Sequence, residues 1–226
     1  MSFGEIVEPS TRALIIDDDV ELSEAERTEV SWKGKPDPPD DVDLLVFVES
    51  NRLIQLAQLI LLSNLKLAAK LLGEGVEIYN DGKQFLVTYS ESKTLICGEI
   101  VEIFEKWIAK ASKIYSVTSS SIVLYQNDEI FPKPETLVRC LTNNGKVPFD
   151  FCEKLEAPNL ITGLGAGVLS YCVYKSIKCS LFVIYMDNSP LDSINSKYFV
   201  NLMSKMGFVL KNSLLTISTG SSNLYI

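Results

Sequence analysis

The sequence predicts an α/β fold, a layered mixed sheet flanked by helices, with an acidic, largely disordered N-terminal arm and a flexible C-terminal tail. Short apolar runs alternate with amphipathic helical stretches from Leu44 to Leu210, the pattern of helices packed on a sheet. Acidic side chains crowd the start: residues 1–50 hold fourteen acids and four bases, whereas residues 51–226 hold fifteen acids and seventeen bases. From Asn212 onward no side chain is charged. These shifts divide the chain into an arm (1–43), an α/β body (44–212) and a tail (213–226).

At 226 residues and 46% apolar composition the chain can bury one sizeable core or two small ones. The net charge of −8 resides in the arm, and no Lys/Arg stripe exists to displace counterions from phosphates, which argues against a nucleic-acid partner. Cys97, Cys140, Cys152, Cys172 and Cys179 are scattered in apolar runs without CxxC spacing, as expected of small buried hydrophobes in a reducing compartment. Met1 to Glu8 lack the basic-then-apolar layout of a signal peptide. The densest apolar run, Leu53 to Leu62, contains Gln55 and Gln58 and falls short of the ~20 residues of a membrane span. A soluble protein of the cytoplasm is expected, with the nucleus left open.

In chain order, Asp17-Asp18-Asp19, the acids between Glu21 and Glu29 and the segment Pro36 to Asp41 keep most of the arm unfolded. Phe3, Ile6, Val7 and Leu14-Ile15-Ile16 are its apolar exceptions. Leu44 to Val48 is a continuous apolar run that suits a strand buried on both faces. A helix follows from about Arg52, its polar positions Arg52, Gln55 and Gln58 forming so narrow a stripe that the rest of its surface needs cover, which predicts a partner. Phe85 to Tyr89 and Thr94 to Cys97 read as neighbouring strands joined by the turn-like Ser90 to Lys93. Ile100, Ile103, Phe104, Trp107, Ile108 and Ala111 share one helical face, with Glu102 and Lys106 on the other. Ile114 to Val117, Ile122 to Tyr125 and Leu137 to Leu141 read as strands, the last preceded by a loop through Pro132 and Pro134. Pro158-Asn159-Leu160 leads into a helix with Val168, Leu169, Cys172 and Val173 inward, and Leu181 to Met186 reads as a buried strand. The last helix carries Phe199, Leu202, Met203, Met206 and Leu210 at core spacing.

The absence of histidine removes Ser-His-Asp and Cys-His catalysis, imidazole acid/base work and His-based metal sites. Gly163-Leu164-Gly165-Ala166-Gly167 opens a helix whose amino terminus could hold an anion. It follows polar residues rather than a strand, however, and close packing of the helix start accounts better for its glycines. Asp187 and Asp192 follow a strand, where α/β enzymes place acids, yet their spacing suits turns and caps. Asp128, Glu129, Glu153 and Glu156 read as solvated. No catalytic residue, cofactor site or metal site is expected.

The chain ends in Leu224-Tyr225-Ile226, two large side chains beside a carboxylate on an uncharged, serine-rich leash. Burying one such side chain is worth roughly 1.5 to 3 kcal/mol, and a carboxylate adds a charge-assisted hydrogen bond where a cation or backbone nest receives it. Such a tail fits a pocket; folding back as an edge strand, or fraying, is the plainer alternative.

Leu155-Glu156-Ala157-Pro158-Asn159-Leu160-Ile161, Val168 to Cys172 and Leu181 to Tyr185 resemble the carboxy-terminal half of the proteasome assembly chaperone one family. Phe3 to Val7 and Asn223 to Ile226 resemble the two ends of its members. The resemblance implies a non-enzymatic chaperone with an α/β fold akin to nucleoside phosphorylases, without their chemistry. It also implies pairing with a second, related chaperone subunit and docking on the proteasome α-ring during core-particle assembly. In its hydrophobic-Tyr-X ending Leu224 would be the hydrophobic member, Tyr225 the aromatic anchor and the Ile226 carboxylate the partner of a pocket lysine. Two other readings stay open: a phosphorylase-like enzyme, and a scaffold ligand whose Leu224-x-Ile226 ending a PDZ domain captures by strand addition.

Overall fold

The computed structural model describes residues 31–90, 95–127 and 134–211. Its elements in order are β1 (Trp32–Gly34), β2 (Leu44–Glu49), α1 (Asn51–Ile60), β3 (Lys66–Leu71), β4 (Val76–Asp81) and β5 (Gln84–Tyr89), then α2 (Cys97–Ile103), α3 (Glu105–Lys110), β6 (Ile114–Ser121), β7 (Thr136–Thr142), β8 (Glu153–Lys154), α4 (Leu164–Tyr174), β9 (Cys179–Met186) and α5 (Ser193–Lys205). The strands form one mixed sheet in the order β1-β3-β4-β5-β2-β6-β9-β7-β8. Its centre, β5-β2-β6-β9, is parallel, and β3, β4 and β7 add antiparallel strands on either side.

Alternation along β2 shows why the sheet is layered. Leu44, Val46 and Val48 face the apolar cluster under α1 and α5, while Leu45 and Phe47 face the one under α2, α3 and α4. Both sets are buried, as a central parallel strand requires. A third, smaller cluster, which includes Tyr125, Leu137, Val183 and Tyr185, covers the sheet beyond α4.

Several elements differ from the sequence reading. Leu95 and Ile96 form no strand and Cys97 opens α2, so the neighbours of β5 are β2 and β4; residues 91–94 lie outside the described part. The hairpin β3/β4 was not anticipated, because the β3 run Lys-Leu-Ala-Ala-Lys-Leu carries no β-branched residue. The next turn, Gly82-Lys83, joins β4 to β5: Gly82 adopts φ 63° there and Asp81 stands opposite Gln84. Ile122–Leu124 is a 3-10 turn rather than a strand, its first turn tied by Ser121 Oγ accepting from Val123 N. The helix expected through Ala111 breaks at Phe104 into α2 and α3, with Phe104 itself buried. Val173 points out of α4 and Leu210 lies beyond α5.

Two boundary effects bear on function. Residues 31–43, read as arm, pack on the body: β1 pairs with β3, Trp107 Nε1 donates to Pro36 O at 2.8 Å, and Trp32 meets Phe104 edge-on. The chain also covers α1 itself. Leu53, Leu56, Ala57 and Ile60 are fully buried in the cluster that contains Phe199, Leu202 and Met203 of α5, which leaves Leu59 as the exposed large side chain of the helix. The need for a partner inferred from that helix is therefore not sustained.

Candidate functional site

In an open α/β sheet the crevice beyond the carboxyl ends of the parallel strands is where a ligand would bind. Here β2 ends in Glu49, and Ser50 turns sharply into α1 with φ 92°. The Ser50 hydroxyl caps α1 through Leu53 N and meets Ser119 Oγ at 2.7 Å. A cavity of about 450 Å³ opens there, walled by Glu49, Ser50, Tyr89, Thr118 and Gly163.

The anion position of this crevice is filled from within. Glu49 Oε1 accepts from Leu164 N at 2.8 Å and Glu49 Oε2 from Gly165 N at 2.9 Å, so the first free amides of α4 hold the chain's own carboxylate. Gly163 adopts φ 96°, and any side chain there would run into the Glu49 carboxylate; a Cβ on Gly165 would stand 2.9 Å from Leu181 Cδ1. Close packing thus explains the glycines of the Gly163 to Gly167 loop. A phosphate placed on these amides would have to displace a carboxylate and would meet no lysine or arginine among the described residues that line the cavity. Among the described residues no cluster of cysteine and acidic side chains could hold a metal.

Asp187 and Asp192 serve the turn and cap. Asp192 Oδ1 accepts from Ile194 N and Asn195 N at 2.9 Å, starting α5, and Asp187 accepts from Ser189, whose hydrogen bonds hold its carboxyl below the usual range. Glu153 is solvated as expected and Glu156 is only partly so, and both pair with Arg139, which is buried in the middle of β7. Arg139 Nε lies 3.0 Å from the Tyr125 hydroxyl, which donates to Glu156, and Asn127 donates to the same carboxylate at 2.6 Å. Burial alone would raise the Glu156 carboxyl, but hydrogen bonds from Tyr125 and Asn127 and the Arg139 charge together bring it below its ordinary value. Burial pushes the neighbouring Tyr185 phenol up to about 12, so the network's charges are those of Arg139 and the two glutamates. The network holds the two loops that carry Val123, Leu124 and Leu160, which are 79%, 66% and 90% exposed. Those loops are also tied by Asn159, which bonds the Gln126 backbone through both its amide groups.

The tail residues Leu224, Tyr225 and Ile226, like Asp128 and Glu129, lie outside the described residues. The root of the tail does not. Phe208 is buried, Asn64 Nδ2 donates to Val209 O at 3.0 Å, and Lys211 N donates to Ile60 O at 2.7 Å, pinning the chain beside the carboxyl end of α1. The tail therefore departs from the end of the sheet opposite the crevice.

The layered α/β body thus holds its own Glu49 carboxylate in the cradle at the start of α4 and pins the root of its tail at the opposite end of the sheet. Residues 99–220 match the PAC1 family model, described as proteasome assembly chaperone 4, and the chain belongs to this proteasome assembly chaperone family. Among curated relatives, proteasome assembly chaperone 1 of Xenopus laevis is 37% identical over 73 residues, covering 32% of this chain and 23% of the relative. That of Bos taurus is 29% identical over 137 residues, covering 55% of this chain and 47% of the relative. The chain spans about half the length of the curated relatives it matches. In fold it is similar to Pyrococcus furiosus PbaA, an archaeal homolog of proteasome-assembly chaperone, with a TM-score of 0.55 at 14% identity over 82% of this chain and 90% of that one. It is likewise similar to P. furiosus PbaB, an archaeal proteasome activator, with a TM-score of 0.51 at 14% identity over 78% of this chain and 88% of that one.

Proposed function

We propose that this chain is a non-enzymatic chaperone for assembly of the proteasome core particle, acting in the cytoplasm, with the nucleus left open. In this reading it pairs with a second, related chaperone subunit and docks on the α-ring by inserting Leu224-Tyr225-Ile226 into an intersubunit pocket. The observation that carries the reading is the family match over residues 99–220. The tail root supports the anchoring step, because a peptide of two apolar side chains and one carboxylate binds weakly alone and gains from tethering to a positioned body. For the second subunit, the exposed side chains Val123, Leu124 and Leu160, held on loops tied by Asn159 and Arg139, offer an apolar surface.

The filled cradle at Glu49 weighs against a phosphorylase-like enzyme. Phosphate and nucleosides should leave the melting temperature of the protein unchanged, and a ligand-dependent rise would restore the enzyme reading. Co-purification of the tagged chain, with its companions identified by mass, tests the function directly. Proteasome α-subunits and one related chaperone subunit are expected; a PDZ scaffold in their place would overturn the proposal.

A further inference from the structure

Resting on the tail-anchor reading, we propose that the amino-terminal end of the sheet is the face laid against the ring, and that it meets a carboxylate-bearing protein surface there. Two grooves open at this end. One, of about 430 Å³, is walled by Asp43, Gln84, Lys113, Lys205 and Phe149. The other, of about 200 Å³, is walled by Lys113, Asn144, Pro148 and Lys178, and the two share Ser112, Lys113 and Tyr115. Lys113 thus stands between Lys205 on one side and Lys178 on the other.

These three lysines are exposed and pair with no carboxylate among the described residues. Lys70, Lys83, Lys106, Lys110 and Lys175 each have an acidic partner, and other lysines without one among the described residues, such as Lys33, Lys35 and Lys154, line neither groove, so what sets Lys113, Lys178 and Lys205 apart is that they adjoin. Asp43 is the one acid lining either groove. In a chain of net charge −8, three neighbouring cations left unneutralised repel one another, and an anionic surface brought against them relieves that repulsion.

The position of the tail root selects this end over the other. The fifteen residues after Lys211 span at most about 50 Å when fully extended. To turn the crevice end toward the ring, the tail would first have to run back along the sheet. That path uses about 26 Å, the length of the eight-residue β6, and more than half of the available span. With the lysine end facing the ring, the whole span remains for reaching the pocket.

Binding of the full-length protein to immobilised α-ring particles, measured at low and high salt, tests the surface. The triple variant Lys113→Glu, Lys178→Glu, Lys205→Glu should bind at least tenfold more weakly at low salt and lose most of its salt dependence, with its melting temperature kept. A control with the same charge change on the sheet edges, Lys33→Glu, Lys35→Glu, Lys154→Glu, should bind within twofold of wild type. Tyr225→Ala should weaken binding at both salt concentrations and keep the salt dependence. Unchanged binding by the groove triple, or an equal loss in the edge triple, overturns the proposed face. Unchanged binding by Tyr225→Ala strikes the tail reading alone, so the two failures are told apart.

Discussion

The two ends of the sheet satisfy charge in opposite ways. At the carboxyl end the amides of α4 would attract an anion, and β2 supplies one from within, so the site is closed electrostatically even though a cavity remains beside it. At the amino end Lys113, Lys178 and Lys205 pair with no carboxylate among the described residues, and Lys211, the root of the tail, is pinned to Ile60 at the same end. One glutamate thus occupies the anion position of a crevice in which open α/β sheets bind ligands. Fold similarity alone would have pointed to the crevice.

The largest effect that can break this contrast lies in the tail. If the amino end binds through an inserted aromatic side chain, Tyr225→Ala should weaken α-ring binding by about 2 to 4 kcal/mol, the range of a buried anchor. Ile226→Ala should cost far less, because that residue contributes chiefly its carboxylate, and adding one residue after Ile226 should be as harmful as Tyr225→Ala. A PDZ groove reverses the order, since it buries the terminal side chain. Co-precipitation of α-subunits by the three variants decides between them.

At the opposite end, Glu49→Ala leaves two buried amides at the start of α4 unpaired and should destabilise the fold by about 2 kcal/mol, lowering the melting temperature by roughly 4 to 8 °C. The same variant frees the cradle. Phosphate should then raise the melting temperature of Glu49→Ala and leave wild type unmoved; a response in wild type would show that the crevice is open after all.

The contrast also marks what the sequence could convey. The hydrophobic runs at Leu44, Phe85, Ile114, Leu137 and Leu181 were readable as strands because their burial is written into the residues themselves. The close packing of Gly163 and Gly165 was readable as well, from residue type and position before a helix. The carboxylate that fills the cradle was not. Glu49 is 115 residues from Leu164 in the chain, and only the pairing of β2 with β6 and of β6 with β9 brings the two together. Arg139 was hidden for a similar reason: an arginine inside an apolar strand becomes legible only when Glu153 and Glu156 arrive beside it. The arm boundary was misjudged because charge and proline outweighed Trp32, whose partners Leu71 and Phe104 lie far along the chain.

That boundary yields a smaller effect. Deleting residues 9–30 should leave the melting temperature within a degree or two of wild type, whereas extending the deletion through residue 40 removes β1 and the Pro36 acceptor of Trp107. The longer deletion should cost about 1 to 2 kcal/mol, seen as a fall of several degrees. Equal melting temperatures for the two deletions would mean that residues 31–40 rest on the body without stabilising it.

The smallest effect concerns the loops at the carboxyl end and depends on pH. Glu156 has its carboxyl held below the ordinary value in the folded protein, so the stability it contributes is present above the unfolded value and is lost as pH falls through the folded one. Tyr125→Phe removes one donor to that carboxylate and should cost about 0.5 to 1 kcal/mol near pH 7, a modest figure because Glu156 is partly exposed and water screens its charge. The deficit should shrink as the pH falls below the ordinary carboxylate value and through the lower folded one, beneath which Glu156 is protonated in both proteins. Urea unfolding of wild type and Tyr125→Phe at several pH values measures the difference. A deficit that stays constant with pH would show that the hydroxyl matters through packing or through Arg139, and that the Glu156 charge does not hold these loops in place.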